Sequence, residues 1–127
     1  MKVGAGTGEG VVIGPLINDK AIVKVEALVR EAVAAGARVE VGGERHDLGG
    51  LFYQPTVLSG ATADMRLFNE EIFGPVAPIV KFETEDEAIS LANATPFGLA
   101  AYFYSRDVGR IFRVAEAIEA GMVGINE

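Results

Sequence analysis

The stretch Asn69-Glu70-Glu71-Ile72-Phe73-Gly74-Pro75 sets two adjacent carboxylates and a phenyl ring ahead of a Gly-Pro break. Ionised carboxylates accept hydrogen bonds, and a phenyl ring offers a flat apolar surface. Neither acid has an obvious salt-bridge partner nearby in sequence, and a long apolar run follows at once. Spacing alone reads Phe73 as a core residue and Glu71 as a solvated acid.

The other residues that could do chemistry have plainer readings. There is no cysteine and one histidine. That excludes disulfides, thiolate metal sites and a cysteine nucleophile within these residues. A Ser-His-Asp triad would have to pass through His46, which sits in the glycine-flanked "GGERHDLGG" with no nucleophile elbow nearby, so it reads as a solvated loop histidine. The opening "GAGTGEG" suggests a phosphate cradle but fails on spacing. Glu9 stands where the last glycine belongs, no strand precedes it, and no Gly-Lys-Ser/Thr follows. The acids after Thr84 suit a capping box better than a metal site: the Thr84 hydroxyl accepts from the Glu87 amide, and the Glu87 carboxylate reaches back. Tyr102, Phe103 and Tyr104 lack interleaved basic residues, so they read as sheet core rather than a stacking platform.

The elements that must carry these residues follow from periodicity. Asn18 is placed to cap a helix whose apolar stripe is Ile22, Val25, Leu28, Val29, Ala32 and Val33, with Gly36 as its stop. Residues 37–41 alternate like a strand, 42–50 are turn-rich, and 53–58 read as a strand edge or strand start because of Pro55. Residues 76–82 form a nearly continuous apolar run, as in a strand buried on both faces. A short helix follows with Ala88, Ile89 and Ala92 inward, then a strand over 99–105. A helix from about Asp107 to Ala120 turns Val108, Ile111, Phe112, Ala115 and Ile118 inward. Gly121 closes it before a last strand over 122–126. The alternation of strand and helix predicts an α/β fold, a parallel sheet with flanking helices.

Composition bounds the class. The 127 residues are half apolar with a net charge of −7, and the mean hydropathy is +0.29 with a pI near 4.7. That suffices for a core and argues against nucleic-acid binding, which wants a basic patch. No run is long enough to span a membrane, and "MKVGAGTGEG" lacks an apolar secretory segment, so a cytoplasmic location is expected. The abrupt start, and the stop at Glu127 one residue after "GIN", suggest a segment of a longer protein.

"EEIFGP" followed by an apolar strand resembles the signature of the aldehyde dehydrogenase superfamily. "GPLIN" before a helix, "GGLFYQPTVL" after it, "ANATPFGLAAYFYSRD" and "AGMVGIN" keep the same order, from about Val3 to Asn126. "FGLAAYFYSRD", "IFRVAEAIEAGMVGIN" and "PVAPIVKF" look most like its succinate-semialdehyde dehydrogenase branch. The resemblance implies NAD- or NADP-dependent oxidation of a small aldehyde to a carboxylate. A cysteine thiolate attacks the carbonyl, hydride passes to the nicotinamide, and a glutamate-activated water hydrolyses the thioester. It implies that Glu71 binds the hydroxyls of the nicotinamide ribose, that Phe73 packs near the nicotinamide, and that Gly74 and Pro75 fix the turn; Glu70 is assigned no ligand contact. It further implies that residues 1–127 are a partial catalytic domain lying after the nucleophile. The general base and the coenzyme-binding domain would lie upstream, and the isolated segment would be inactive. Self-association through an uncovered sheet edge and a homo-oligomeric enzyme are expected. The rival readings are a non-catalytic interaction module and a dehydrogenase for glutarate semialdehyde.

Overall fold

A computed structural model describes residues 1–127. Nine elements follow in order: α1 (Asp19–Ala34), β1 (Arg38–Val41), β2 (Thr56–Ser59), α2 (Arg66–Asn69), β3 (Val76–Pro78), α3 (Glu85–Asn93), β4 (Ala100–Phe103), α4 (Val108–Ala117) and β5 (Met122–Ile125). They divide between two units, Met1–Val80 and Lys81–Glu127. No helix is long and apolar enough to cross a membrane.

In the first unit, α1 begins where Asn18 Oδ1 accepts from the Ala21 N–H at 2.9 Å, satisfying one of the free donors of the first turn. It ends in a Schellman arrangement. Gly36 adopts φ +107°, its N–H donates to the Val33 carbonyl, and the Ala37 N–H donates to that of Ala32. Ile22, Val25, Leu28, Val29 and Ala32 are buried as the stripe requires. Val33, at the margin of the stripe, is exposed.

The stripe packs on a three-stranded sheet ordered β1-β2-β3. Ile22, Val25 and Leu58 are fully buried, and Tyr53, Met65 and Leu67 complete the core. The sheet is mixed, a departure from the all-parallel expectation. β1 and β2 are antiparallel, with Val39 opposite Leu58 and a bulge before Val41. β2 and β3 are parallel, with Thr56 opposite Val76. The cause is the connection. Residues 42–55 contain no helix, so the chain returns beside β1 in the opposite sense, whereas parallel partners need a crossover. Pro55 lies just before β2, so the strand-start alternative holds, and β2 is central rather than an edge. β3 is shorter than the apolar run suggests and is not buried on both faces: Ala77, Ile79 and Phe82 are exposed. It is an edge strand, and Pro78 brings no N–H to the ladder.

In the second unit, β4 and β5 are parallel, pairing Ala100 with Met122 and Phe103 with Ile125, with α4 as the crossover. The cap forms, with the return bond shifted by one residue: Thr84 Oγ1 accepts from the Glu87 N–H at 3.1 Å, and Glu87 Oε2 accepts from the N–H of Glu83, just before the cap, at 2.7 Å. Asp107 caps α4 through the Arg110 N–H. α4 stops at Ala117, earlier than the apolar pattern suggests, because Asn93 intercepts its end. The Asn93 amide donates to the Ala117 carbonyl and accepts from the Glu119 N–H. Ile111, Ala115 and Ile118 are half-buried, but Ala92, Val108 and Phe112 are exposed rather than inward. Beyond β5, Asn126 takes φ +60°, and its side-chain amide both donates to the Ser105 carbonyl and accepts from the Ser105 N–H, each at 2.9 Å.

Candidate functional site

The acid-aromatic motif lies on the turn between α2 and β3, within the first unit. α2, which the sequence pattern did not reveal, is a single turn whose end holds Glu70: the Glu70 N–H donates to the Arg66 carbonyl. Arg66 Nε donates to Glu70 Oε2 at 2.7 Å, and the same guanidinium reaches Glu31 of α1 at 3.1 Å. Glu70 therefore has the local partner that the sequence seemed to lack, four residues back, and it anchors the turn.

Glu71 is exposed, and its carboxylate accepts no hydrogen bond and joins no ion pair within the chain. Its main chain is tied down instead. Lys24 Nζ, from α1, donates to the Glu71 carbonyl at 2.8 Å across 47 residues of sequence. Ile72 turns toward the core and packs against it. Phe73 does not enter the core, contrary to the reading from spacing. The residue is 74% exposed, and its backbone is left-handed at φ +50°, a conformation that is uncommon outside glycine, asparagine and aspartate.

Gly74 then passes against α1. A Cβ there would lie 2.6 Å from Val25 Cγ2, so only glycine allows the approach. The Pro75 carbonyl accepts from the Thr56 N–H at 2.8 Å, locking the turn to the head of β2. The turn is thus pinned at both ends, while its one free carboxylate and its one exposed ring face away from the core. Such an arrangement can present two hydrogen-bond acceptors and a flat apolar surface to a ligand. Beside it, an apolar depression of ≈ 490 Å³ is lined by Ile13, Val57, Gly74, Pro75 and Val76, among others, but by neither Glu71 nor Phe73.

The remaining titratable groups near this core are structural. Arg45 forms a two-bond fork with Glu26 of α1 at 2.7 Å, and that contact holds the Glu26 carboxyl below its ordinary range. Tyr53 is buried, and desolvation, reinforced by the charges of Glu26 and Glu44, pushes its phenol up to about 12. His46 lies in its expected loop but is half-buried rather than solvated, since Nδ1 accepts from the Leu48 N–H at 3.2 Å. The "GAGTGEG" segment is a turn-rich loop closed by a bridge between Val3 and Ile13. In the second unit, Glu85 is held low by Arg113 and Arg110, which fork onto it from α4. That pairing occupies the charges of Glu85 and Arg110 in the lining of the ≈ 440 Å³ cleft among Ala88, Ile89, Phe103 and Val114, and leaves Glu83 as its unpaired acid. Lys24 and Arg66, which bond to the turn, are the contacts that sequence reasoning missed. A lysine far upstream carries no signal of the carbonyl it will meet, whereas the Arg66–Glu70 spacing was legible as an i,i+4 pair once a helix was recognised there.

The sequence model described as "Aldehyde dehydrogenase family" matches residues 1–127. The chain is 57% identical over 127 residues to the mitochondrial succinate-semialdehyde dehydrogenase of Rattus norvegicus, covering all of this chain and 24% of that protein. Among solved structures, the succinate-semialdehyde dehydrogenase of Burkholderia pseudomallei superposes with a TM-score of 0.96 at 56% identity, over 99% of this chain and 26% of that one. The betaine aldehyde dehydrogenase of Staphylococcus aureus, in complex with NAD+, superposes with a TM-score of 0.93 at 42% identity, over the same shares of the two chains. The chain spans about a quarter of the length of the relatives it matches.

Proposed function

This chain belongs to the aldehyde dehydrogenase family, and from that premise we propose that residues 1–127 form part of the catalytic domain of an NAD- or NADP-dependent enzyme that oxidises succinate semialdehyde, or a similar small aldehyde acid, to the carboxylate. The identity to succinate-semialdehyde dehydrogenases supports the substrate class. The likeness to an enzyme in complex with NAD+ supports the nicotinamide cofactor. Homo-oligomeric assembly and a cytoplasmic location belong to the same reading.

The observation that carries the proposal is Phe73. Packing does not explain a left-handed backbone at a phenylalanine that is 74% exposed; strain of this kind collects where a side chain must be aimed at a ligand. Next to it stands a carboxylate that the chain itself does not use. Both groups fit a nicotinamide nucleotide. The two Glu71 oxygens are suited to accept from neighbouring ribose hydroxyls, and the Phe73 ring is suited to limit the swing of the nicotinamide. When bound, that cofactor supplies the hydride acceptor. These residues contribute binding and orientation; with no cysteine among them, they bring no thiolate nucleophile.

Glu71→Gln in the complete enzyme tests the assignment. It keeps the shape and removes the charge and one acceptor, so the KM for NAD+ or NADP+ should rise about tenfold, with the aldehyde KM little changed. An unaltered cofactor KM and kcat would overturn the role of Glu71.

A further inference from the structure

Glu70 and Glu71 carry the same carboxylate, yet they end in opposite situations. Glu70 is half-buried and bonded, whereas Glu71 is exposed and its carboxylate joins no ion pair. The backbone at Glu70 is extended, at φ −129° and ψ 133°, and in an extended chain successive side chains point to opposite sides. Whatever holds the Glu70 carboxylate on one side therefore sends that of Glu71 to the other.

Arg66 is what holds it. Its Nε donates to Glu70 Oε2 at 2.7 Å, and its Nη1 donates to both carboxylate oxygens of Glu31, at 3.1 and 3.2 Å. One guanidinium thus ties the first acid of the pair to a helix that lies 35 residues back. Helix stability does not account for the bond. α2 is a single turn, and an i,i+4 pair with the cation on the N-terminal side is the weaker orientation. All three side chains are partly exposed, and ion pairs at such sites contribute little to folding.

We propose that Arg66 selects which of the two acids is presented: by engaging the Glu70 carboxylate beside Glu31, it keeps that acid off the ligand-facing side of the turn and leaves Glu71 as the carboxylate there. Arg66 is a positioning residue that acts through Glu70. The proposal rests on the reading of Glu71 and Phe73 as cofactor-binding residues.

The test is calorimetric NAD+ or NADP+ affinity in the complete enzyme, with urea unfolding measured beside it. Arg66→Met should weaken cofactor affinity several-fold with little change in unfolding free energy. Arg66→Glu should weaken it further, and Arg66→Glu/Glu70→Arg, which rebuilds the pair with its charges exchanged, should recover most of the loss. The gap between wild type and Arg66→Met should narrow as salt rises toward about 1 M, where charges are screened beyond roughly 3 Å. Wild-type affinity in Arg66→Met, a loss of affinity matched by a loss of folding stability, no recovery in the exchanged pair, or a gap indifferent to salt would each overturn the proposal while leaving the Glu71 assignment standing. A silent Glu71→Gln would instead bring down the cofactor reading, and this inference with it.

Discussion

At position 73, stability and presentation pull against each other. The left-handed backbone costs a residue with a Cβ about 1–2 kcal/mol, and the exposed ring recovers little by burial. Phe73→Gly should therefore leave the urea-unfolding free energy unchanged or raise it by up to about 1 kcal/mol, while weakening cofactor binding in the complete enzyme. A clear loss of stability would show that the ring is packed, and would remove the reason to think of it as aimed outward. The motif was legible as a motif, but its geometry was not. A phenyl ring beside an apolar run reads as core, because core is where most such rings go. Nothing in the local string reports that the backbone will turn left-handed at 73, nor that a lysine 47 residues earlier will meet the carbonyl of residue 71.

Among the elements, helices were more legible than strands, and their caps were the reason. Asn18, Thr84 and Asp107 each accept from the first-turn N–H that their position dictates, a local rule that distant residues do not disturb. Thr84→Ala should cost about 1 kcal/mol and accelerate exchange of the Glu87 and Ala88 amides, with Thr84→Ser recovering most of it. Exchange in α3 unaffected by the alanine would mean that the helix owes its start to packing alone. Strands depend on their neighbours, so their reading was weaker. The pattern of 76–82 could not show that β3 pairs on one side only, or that β1 would run antiparallel. The four-residue α2 is too short to leave a periodic trace.

Over the whole molecule, deep burial is confined to the first unit. Every buried hydrophobic residue lies between Ile22 and Leu67, and the helices of the second unit bury none. The α/β class was legible from the alternation of elements, but the division into a mixed three-stranded sheet and a parallel pair was not. Both sheets rest on long-range pairing that no local window contains. Tyr53 gives this core a pH signature. Its phenol ionises near 10 when unfolded and at about 12 when folded. Because the folded pKa is the raised one, the stabilisation is complete below pH 10 and is lost as pH climbs from 10 toward 12, to the extent of about 3 kcal/mol. Unfolding free energies of Tyr53→Phe should fall less steeply than wild type across that window; parallel slopes would mean that the hydroxyl is not desolvated.

The Lys24–Glu71 contact also has a consequence in time. A ribosome adding about 5–20 residues per second needs roughly 2–10 s to travel from one partner to the other. In that interval the helix bearing the lysine is synthesised in full, whereas β2 ends only 12 residues ahead of the acid. The awkward bend is therefore made after the helix that receives it, but before β3 completes the sheet beside it.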